Sequence, residues 1–411
     1  MTRPLQDESR RQDHRRENGT GGGVEIKTAA LKEVAPAQAA RLSFQPKDLV
    51  WQLNLDQIEA QSGRILSKVT GLASAAGTST QPFDTGNVLY SKLRPYLNKV
   101  VCPDSPGIAT TELVPLRPHP KKLDRQYLTY YLRSPEFVTW ISNEVAGAKM
   151  PRVTMKVFWD HEIPLPPLAE QKRIAAILDA ADALRTKRRE ALAQLDALLQ
   201  STFLTLFDDP VSNPMGWEMA AMGSQLKVIG GYAFKSEDFQ ETGSPVIRIS
   251  NLNKDSIDLD GCARIPKAKI GKGEKFRIIA GDTLIAMSGA TTGKLGLVPD
   301  DLNDEWYLNQ RVGAFRIPDI SRIDREYLRA LLASPFYQRH VLNLAGGAAQ
   351  PNISGKQLES AEIPLPPLPL QQKFAAIVES VERQKTTQRA HLAELDALFA
   401  ALQHRAFRGE L

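Results

Sequence analysis

Residues 288–294, with the sequence Ser-Gly-Ala-Thr-Thr-Gly-Lys, are of types that could bind phosphate. Glycines allow backbone N–H groups to surround an anion, and a lysine completes the charge. However, only three residues separate Gly289 from Gly293, and Leu295 occupies the place where a nucleotide-binding loop has the Ser or Thr that binds magnesium. The spacing therefore argues against nucleotide binding and leaves a DNA-phosphate contact or a turn.

A second loop, at residues 94–99, corresponds to residues 289–294. It has Arg94, Tyr96 and Lys99 where the other loop has glycine, threonine and Lys294. Phosphate contacts position a DNA-binding protein, whereas base contacts give it specificity. A lysine shared by two loops that otherwise differ is typical of a phosphate contact flanked by base-reading positions. The alternative is a plain surface loop.

A run of basic residues at 267–277 also predicts contact with the DNA backbone. Only Glu274 opposes the five cations of this run, which are Lys267, Lys269, Lys272, Lys275 and Arg277. Each phosphate that they neutralise would add to the affinity and to its salt dependence. The alternative is a charged surface that contacts only solvent.

Eight further polar residues are candidate base readers, because Asn and Gln pair bidentately with adenine and Arg with guanine. They are Arg152, Arg248, Asn251, Asn253, Asn309, Gln310, Arg311 and Asn352. Such side chains also cap turns, which is the alternative. Thr154 and Ser354 each precede a short predicted helix, and we expect them to be N-caps.

The sequence contains no recognisable catalytic or metal-binding set. It lacks the Asn/Asp-Pro-Pro-Tyr/Phe motif of amino-methyltransferases, and its nuclease-like Glu-x-Lys at residues 25–27 follows a polar tail. The six histidines have no metal-ligand spacing, and Cys102 and Cys262 form no CxxC motif. We therefore expect no catalytic residue, metal or cofactor in this chain.

The elements that must position these loops are set by an internal repeat. Residues 162–199 align with residues 362–399 without a gap, and 19 of the 38 positions are identical. Both copies begin Glu-Ile-Pro-Leu-Pro-Pro-Leu and continue with apolar residues spaced three and four apart, which predicts a long amphipathic helix. The predicted packing residues are Ile174, Leu178, Leu192, Leu195, Leu199, Phe374, Val378, Leu392, Leu395 and Phe399, and Leu184, Leu198 and Leu398 extend the same apolar stripe.

The orientation of the two helices follows from chain reach. A helix from about residue 169 to 207 is ~57 Å long, whereas the segment that connects the helices has the size of a domain ~40 Å across. An antiparallel pair is therefore favoured, with a globular segment at each end and pseudo-two-fold symmetry. Arg185, Arg188, Lys385 and Gln388 interrupt the stripe near the midpoints, so we expect three cations and one amide to share a layer that sets helix register or contacts a partner.

The two globular segments are expected to be copies of one mixed α/β domain. Asp124-Arg-Gln-Tyr-Leu is matched by Asp324-Arg-Glu-Tyr-Leu, and Ser134-Pro by Ser334-Pro, with Asp124 and Ser134 as helix caps. Short strands are expected at 87–90, 99–102 and 111–116, and helices at 124–132 and 135–145. The expected organisation is a disordered tail at 1–23, domains at 24–161 and 209–361, and helices at 162–208 and 362–411.

Charge and hydropathy restrict the expected cellular location of the protein and the class of its binding partner. The net charge is +5, and its surplus lies at residues 24–161, where 17 Lys and Arg face 12 Asp and Glu. This balance permits a nucleic-acid partner without requiring one. The N-terminus lacks the apolar core of a signal peptide, and no run of 18 uncharged apolar residues occurs. We expect a cytoplasmic protein without a membrane segment.

The chain has the order domain–helix–domain–helix, and it contains the motifs Leu89-Tyr-Ser-Lys-Leu-Arg-Pro-Tyr96 and Gly230-Gly-Tyr-Ala-Phe-Lys235 and a Pro-Leu-Pro-Pro-Leu segment at each helix. In these features it resembles the specificity subunit of Type I restriction-modification enzymes over about residues 24–411. The resemblance implies two target recognition domains, each reading half of a bipartite site in double-stranded DNA. It implies that two methyltransferase subunits dock on an antiparallel helical spacer and that restriction subunits join them. S-adenosylmethionine, ATP and Mg would then act through those other subunits. The alternative is a coiled-coil scaffold that binds no DNA.

Overall fold

The computed structural model describes residues 27–147, 150–253, 256–346 and 351–411. The tail expected at residues 1–23 and the Glu-x-Lys at residues 25–27, except Lys27, lie outside the described residues. The chain forms two compact units, one made of Met1–Lys187 with Leu392–Leu411 and the other of Arg188–His391.

Two long helices, Leu168–Phe207 and Leu368–Arg408, contribute to both units. Proline residues precede each helix and Pro210 follows the first, and proline is tolerated at a helix start but not inside a helix. The segments before the helices are strands, Glu162–Pro164 and Glu362–Leu365. They pair antiparallel with Thr28–Ala30 and Glu218–Ala221, respectively. Each helix thus starts from a two-stranded sheet in the domain that precedes it.

The first globular domain belongs to the first unit. Its four-stranded sheet has the order Thr70–Leu72, Leu49–Leu53, Gly107–Thr110, Thr80–Phe83, and its three-stranded sheet the order Val100–Val101, Val88–Ser91, Leu113–Leu116. Strands Val145–Ala146 and Arg152–Val153 form a further pair. The α-helices are Leu31–Val34, Arg125–Leu132, Pro135–Asn143 and Met155–Asp160, and the 3-10 helices are Leu55–Gln57, Ala73–Ala75 and Pro95–Leu97.

The second globular domain, in the second unit, also contains one four-stranded and one three-stranded sheet. Its four-stranded sheet has the order Lys227–Gly230, Val312–Arg316, Thr283–Ala286, Leu295–Leu297, and its three-stranded sheet the order Ala263–Ile265, Ser244–Ile247, Tyr307–Leu308. Strands Leu252–Asn253 and Ser256–Ile257 form a pair. The α-helices are Lys267–Ile270, Arg325–Ala333, Pro335–Leu344 and Gly355–Ser360, and the 3-10 helices are Met222–Ser224, Ser236–Asp238, Ile249–Asn251 and Gly271–Phe276.

Contacts inside each unit confirm that the long helices pack antiparallel. In the first unit Arg173, near the start of the first helix, donates a 2.6 Å hydrogen bond to the backbone oxygen of Leu411, just after the end of the second helix. In the second unit the rings of Phe203 and Phe207, near the end of the first helix, contact Phe374, near the start of the second. The two helices form an intramolecular coiled coil, as the apolar spacing predicted.

The apolar stripe is narrower than the sequence indicated. Ile174, Leu178, Phe374 and Phe399 are buried, and the other six predicted packing residues are half-buried, namely Leu192, Leu195, Leu199, Val378, Leu392 and Leu395. By contrast Leu184, Leu198 and Leu398 are 53%, 47% and 49% exposed. A pair of helices covers only a narrow seam, so residues at the border of the stripe stay in solvent. The inclusion of these three leucines in the packed face was wrong.

A buried glutamine fixes the start of each long helix to its domain. Gln371 is 0% exposed; its Oε1 accepts from the backbone N–H of Asp324, and its Nε2 donates to the carbonyls of Arg322 and Pro366. Gln171 makes the same three kinds of contact, with Asp124, Lys122 and Pro166. The same aspartates cap the following helices, as predicted for Asp124, and Ser134 and Ser334 cap the next ones.

The polar residues near the helix midpoints are paired with carboxylates. Arg185 lies 2.6 Å from Asp396 and 2.8 Å from Asp182, and Lys385 lies 2.7 Å from Asp196 and 2.6 Å from Glu382. Arg188 donates to the side chain of Gln388. The expectation of a layer of three cations and one amide was therefore wrong for Arg185 and Lys385, because it omitted the acids one helical turn away and on the facing helix.

Candidate nucleic-acid interface

The loops at 94–99 and 289–294 have the same backbone hydrogen bonds in the two domains. The N–H of Ser91 donates to the carbonyl of Lys99 at 3.0 Å, and the N–H of Ala286 donates to that of Lys294 at 2.8 Å. Both loops also bond to a second segment: the N–H of Arg94 donates to Pro151 and that of Gly289 to Pro351. The sequence correspondence between the two loops is thus a structural one.

The segments that begin at Pro151 and Pro351 bring further candidate base readers next to each loop. Isolated β-bridges join Leu93 to Arg152 in the first domain and Ser288 to Asn352 in the second. Arg94 and Arg152 therefore lie on neighbouring segments of backbone, and so do Gly289 and Asn352. In both domains a hairpin loop and the segment that precedes the last short helix form one surface.

The glycines of the phosphate-loop-like segment serve the backbone of this turn. Gly289 and Gly293 have φ values of 83° and 88°, and the corresponding Arg94 and Asn98 both have φ of 50°. Left-handed backbone is easy for glycine and tolerated by asparagine. Thr292 completes the turn by donating to the carbonyls of Gly289 and Pro351. The turn interpretation accounts for the glycines without a bound nucleotide.

The two loop lysines differ in their surroundings. The Nζ of Lys99 donates to the carbonyl of Leu55 at 2.6 Å, and its side chain is half-buried. The side chain of Lys294 is exposed and has no bonded partner within the described residues. The surroundings of the two lysines therefore differ, because the first loop packs against residues 55–65 and offers Lys99 a carbonyl there. A phosphate contact by Lys99 stays a prediction, and so does one by Lys294.

Around the first loop three candidates point to solvent. Arg94 is exposed and Tyr96 is 48% exposed. Arg152 is exposed too, with Glu112 at 3.2 Å. An ion pair this exposed is worth ~0–1 kcal/mol, so it can be exchanged for another partner. The first domain therefore presents two guanidinium groups and a phenol to solvent.

The second domain has a cleft of about 480 Å³ at the equivalent place. Its lining consists of Ser288, Gly289, Gln310, Arg311, Pro351 and Asn352. Gln310, Arg311 and Asn352 are exposed, whereas the Ser288 hydroxyl is buried and has no hydrogen-bond partner within the described part of the chain. Three of the predicted base readers, drawn from two separate segments of the chain, thus line one cleft.

The basic segment is connected to this cleft through aromatic residues. Asn309, next to Gln310, forms a β-bridge with Tyr232, and the Tyr232 ring stacks on Phe276 with centroids 5.6 Å apart. Phe276 belongs to the basic segment itself. Lys269 and Arg277 are paired with Asp238 and Glu305, while Lys267, Lys272 and Lys275 are exposed and have no ion-pair partner among the residues that the structure describes.

The cluster around Arg248 is placed differently. Asn251 is only 4% exposed; its Oδ1 accepts from the backbone N–H of Arg248 and its Nδ2 donates to the carbonyl of Asp258. Its selection as a base reader was wrong, because both ends of its amide are used inside the domain. Arg248 is half-buried, and its Nε has no hydrogen-bond partner among the described residues. Asn253 is exposed at the end of a short strand.

The two predicted caps also differ. Ser354 accepts from the N–H of Gln357 in a capping box, which confirms its prediction. Thr154 occupies the N-cap position but makes no side-chain bond. Its ψ is 95°, compared with 156° at Ser354, and this rotation turns the hydroxyl away from the first helical N–H groups. Thr154 therefore occupies the predicted N-cap position, but the predicted cap hydrogen bond is absent among the described residues.

Sequence reasoning missed two parts of the site. One is Ser288, whose buried hydroxyl lines the cleft, and the other is the pair of proline carbonyls, Pro151 and Pro351, that hold the loops. The signal for the prolines was available, since both precede a candidate reader at an offset of 200 residues. Among the described residues there is no group of three or more metal-ligating side chains, and no helix is long and apolar enough to cross a membrane.

The comparisons with known proteins agree with one another. A family model described as the Type I restriction modification DNA specificity domain matches residues 77–194 and 214–397. The specificity subunit of the Type I restriction enzyme MjaVIII from Methanocaldococcus jannaschii is 28% identical over 291 residues, which cover 67% of this chain and 68% of the relative. The EcoBI specificity subunit from Escherichia coli is 23% identical over 349 residues, 76% of this chain and 71% of the relative.

Two solved structures share the fold. A chain from a study of complex assembly and conformational transition of the type I R-M system has a TM-score of 0.54 at 21% identity, covering 96% of this chain and 100% of that chain. The Type I S subunit from M. genitalium has a TM-score of 0.53 at 17% identity, covering 95% and 98%. Because the family model matches well over half of this chain in two separate regions, the protein belongs to the DNA specificity subunits of Type I restriction-modification systems.

Proposed function

We propose that this chain reads a bipartite site in double-stranded DNA, one half with each recognition domain, and itself catalyses no reaction. The observation that carries the proposal is the pair of equivalent loops. They share backbone hydrogen bonds, yet Arg94 and Arg152 in one domain replace Gly289 and Asn352 in the other. A constant frame with different side chains suits two readers of different half-sites.

The side chains at the two surfaces favour different bases. Gln310, Arg311 and Asn352 line the cleft of the second domain, and these residue types pair with adenine and guanine through the major groove. The first domain presents Arg94 and Arg152, which favour guanine. Good bidentate contacts contribute ~1–3 kcal/mol of discrimination each, so a few of them are enough to define a half-site.

The unpaired lysines supply affinity that does not depend on sequence. Lys267, Lys272 and Lys275 lie in the basic segment, which packs against the aromatic residues beside the cleft, and Lys294 lies in the loop that forms one wall of it. Each lysine that contacts a phosphate releases about one counterion. We infer that these four lysines hold the DNA backbone while the cleft contacts base edges.

We further propose that two methyltransferase subunits dock on the long helices in the cytoplasm and that restriction subunits join them. Leu198 and Leu398, equivalent in the repeat, remain about half exposed, one in each unit. Two equivalent apolar surfaces suit two copies of one partner. The sequence lacks the Asn/Asp-Pro-Pro-Tyr/Phe motif of amino-methyltransferases, so S-adenosylmethionine, ATP and Mg would be used by the partner subunits.

The test is exchange of residues 211–361 for the corresponding domain of a relative, in a chain co-expressed with its methyltransferase subunits. Sequencing of methylated bases in the host genome should show that one half of the site changes and the other half stays. A parallel exchange of residues 24–161 should change the opposite half. If either exchange alters both halves together, the domains are not independent readers and the proposal is overturned.

A further inference from the structure

One sheet edge is covered in the second domain and open in the first. Thr70–Leu72 lies at the edge of the four-stranded sheet of the first domain, and Ala263–Ile265 lies at the edge of the three-stranded sheet of the second. Each of these strands pairs antiparallel with a strand that is itself paired in parallel with a third. The two edge strands therefore have the same place in their domains.

In the second domain the chain covers this edge itself. The backbone N–H of Gln240 donates to the carbonyl of Arg264 at 3.0 Å, and the two residues form an isolated β-bridge. The neighbouring Phe239 packs against a buried apolar cluster of four residues, Val246, Ile265, Ile270 and Tyr307. An extended segment that supplies a backbone donor and an aromatic ring thus completes this side of the sheet.

In the first domain the backbone of the edge strand faces solvent. The N–H of Gln52 donates to the carbonyl of Val69, and the N–H of Ala73 donates to that of Asp48. Alternate residues of an antiparallel strand face the neighbouring strand, so the N–H and carbonyl of Thr70 face away from it. Thr70 is exposed. An open edge of this kind is a template for pairing with another strand.

Large apolar side chains are exposed along the same edge. Leu49 and Leu72 are cross-strand partners, and they are 72% and 45% exposed. Leu66 and Val69, in the segment that leads into the strand, are 56% and 47% exposed. Single exposed apolar residues are normal on a protein surface, whereas a contiguous group of them marks an interaction site.

The charge that could protect this edge is held elsewhere. Lys68 is the only charged residue at positions 65–83. Its ammonium group lies 2.6 Å from the carboxylate of Asp104 and 4.9 Å from the centre of the Trp51 ring. Proteins commonly place lysines on exposed edge strands to prevent pairing with other chains. Here the lysine is engaged by its own domain, and the edge remains apolar.

A cleft of about 280 Å³ opens beside the end of this strand. Ala73, which directly follows the strand, lines it together with Pro82 and Ile108 of the same sheet. Ile108 and Tyr307 lie in equivalent parallel strands, and in each case the next residue belongs to the domain core. In the second domain Phe239 packs against the cluster that contains Tyr307. The cleft therefore lies where the second domain buries an aromatic ring.

The charges beside the cleft complement an acidic segment. Arg41 and Lys47 are each next in sequence to a residue that lines the cleft, and both are exposed without an ion-pair partner among the described residues. The nearby carboxylate of Asp48 accepts from a backbone N–H. The covering segment of the second domain is acidic, and its Asp238 lies 3.1 Å from Lys269.

We propose that the edge of Thr70–Leu72 and the adjoining cleft form a docking site for one extended, acidic segment of a partner protein. The segment adds a strand to the sheet and places an apolar side chain in the cleft. Backbone hydrogen bonds supply affinity in this mode of binding, and the side-chain cleft supplies selectivity. Because the second domain fills the same place with its own chain, a partner held here is present in one copy, unlike the methyltransferase subunits proposed above.

The test uses the full chain and, as probe, a fluorescein-labelled peptide with the sequence of residues 236–242, Ser-Glu-Asp-Phe-Gln-Glu-Thr. We expect saturable binding by fluorescence anisotropy. Thr70→Pro removes the outward N–H without removing a bond to the neighbouring strand, and proline is tolerated at such edge positions. It should weaken binding ~5- to 10-fold. Thr70→Ala keeps the N–H and should bind like the parent, and thermal unfolding checks that both variants are folded.

The side-chain contacts are tested separately. Leu72→Asp, and a peptide with alanine in place of Phe239, should each weaken binding, and Lys47→Glu should do so only for a peptide that keeps its acids. Amide hydrogen exchange should slow at residues 69–73 when the peptide binds. Slowing at residues 263–265 instead would mean that the peptide displaces the chain's own segment, which overturns the proposal.

Two further results would also overturn it. One is the absence of saturable binding at ~1 mM peptide, or equal effects of Thr70→Pro and Thr70→Ala. The other is self-association of the parent chain that Leu72→Asp abolishes in the absence of peptide, which would identify a second copy of this chain as the occupant. Analytical ultracentrifugation of the parent and of Leu72→Asp measures this.

Discussion

The Nζ of Lys385 lies 2.7 Å from the Oδ1 of Asp196, so the middle of the second long helix is joined to the first by a nearly buried ion pair. Burial by itself lowers the pKa of Lys385, but the hydrogen bonds to Asp196 and Glu382 outweigh it and the pKa is raised above its ordinary value. The lysine is therefore charged at neutral pH, and its burial is favourable only while both carboxylates are present.

Replacing Asp196 by alanine should destabilise the protein more than removing an exposed acid from the same coiled coil. Lys385 would keep Glu382, so we expect a loss of ~1–3 kcal/mol in the free energy of unfolding, below the ~3–5 kcal/mol of a fully broken buried pair. Glu379→Ala, which breaks an exposed pair, should cost less than ~0.5 kcal/mol. Urea unfolding followed by circular dichroism measures both, and equal effects would contradict the prediction.

Replacing Gln371 by alanine should loosen the second long helix from its domain. The substitution removes three hydrogen bonds and leaves the backbone N–H of Asp324 and the carbonyls of Arg322 and Pro366 unpaired. We expect a loss of ~2–4 kcal/mol, since each buried unpaired group is costly. Gln372→Ala, at an exposed position, is the matched control and should change stability by no more than ~0.5 kcal/mol. A stable Gln371→Ala variant would show that the anchor is dispensable.

The long helices and their pairing could be predicted because the evidence is local or countable. An ungapped repeat, a spacing of three and four, and the length of the connecting segment need no knowledge of tertiary contacts. The caps at Asp124, Ser134 and Ser354 were predictable for the same reason, since a cap bonds to residues two or three positions away. Thr154 shows the limit of such reasoning, because its hydroxyl depends on one backbone angle.

The fates of individual site residues could not be predicted in this way. Lys99 bonds to Leu55, 44 residues earlier, and nothing local distinguishes it from Lys294. Asn251 looks like a reader in sequence, but the turn around it buries its amide against the backbone of Arg248 and Asp258, and that turn carries no recognisable signal. Likewise the cleft gathers Gln310 and Asn352 from segments whose proximity follows only from sheet pairing.

His161 should give the first unit a distinct dependence on pH. Its ring stacks on Trp140 with centroids 3.9 Å apart and contacts the Tyr131 hydroxyl at 2.8 Å. Burial lowers its pKa from 6.5 to about 4, so the unfolded chain binds a proton that the folded chain does not. The stability contributed by the neutral ring is present above pH 6.5 and is lost as the pH falls towards 4.

Replacement of His161 by phenylalanine should therefore reduce the number of protons taken up on unfolding between pH 6.5 and 4 by close to one. The measurement is the free energy of unfolding in urea across this range, whose slope against pH gives the proton number. Tyr131→Phe is the control, because it removes the hydrogen bond but leaves the histidine buried. If the two variants change the slope equally, the hydrogen bond rather than burial governs the titration.

Ser354 and Thr154 are a matched pair for measuring how much a helix N-cap hydrogen bond contributes to stability. Ser354→Ala should lower the stability of the second unit by ~1 kcal/mol, because it leaves the N–H of Gln357 without its partner. Thr154→Ala removes a hydroxyl that makes no cap bond and should change stability by less than ~0.5 kcal/mol. Thermal unfolding compares them directly. A larger effect at Thr154 would show that its hydroxyl does cap the helix in solution.

Lys294→Ala and Lys99→Ala should have different effects although the residues are equivalent in the repeat. Lys294 is exposed and unpaired within the described residues, so its loss should leave folding stability unchanged. If it contacts a phosphate, its loss should reduce the slope of the logarithm of DNA affinity against that of salt concentration by ~0.9, to the same extent for every sequence. Affinity measured on specific and random duplexes between low and moderate salt gives this slope.

Lys99→Ala should instead lower the free energy of unfolding by ~1 kcal/mol, because the hydrogen bond to Leu55 is lost at a half-buried position. Its salt slope should equal that of the parent protein, since the ammonium group is already bound inside the domain. The two substitutions thus control for each other. Equal reductions of the salt slope would mean that Lys99 leaves Leu55 when DNA binds, and an altered consensus with Lys294→Ala would mean that this lysine reads a base.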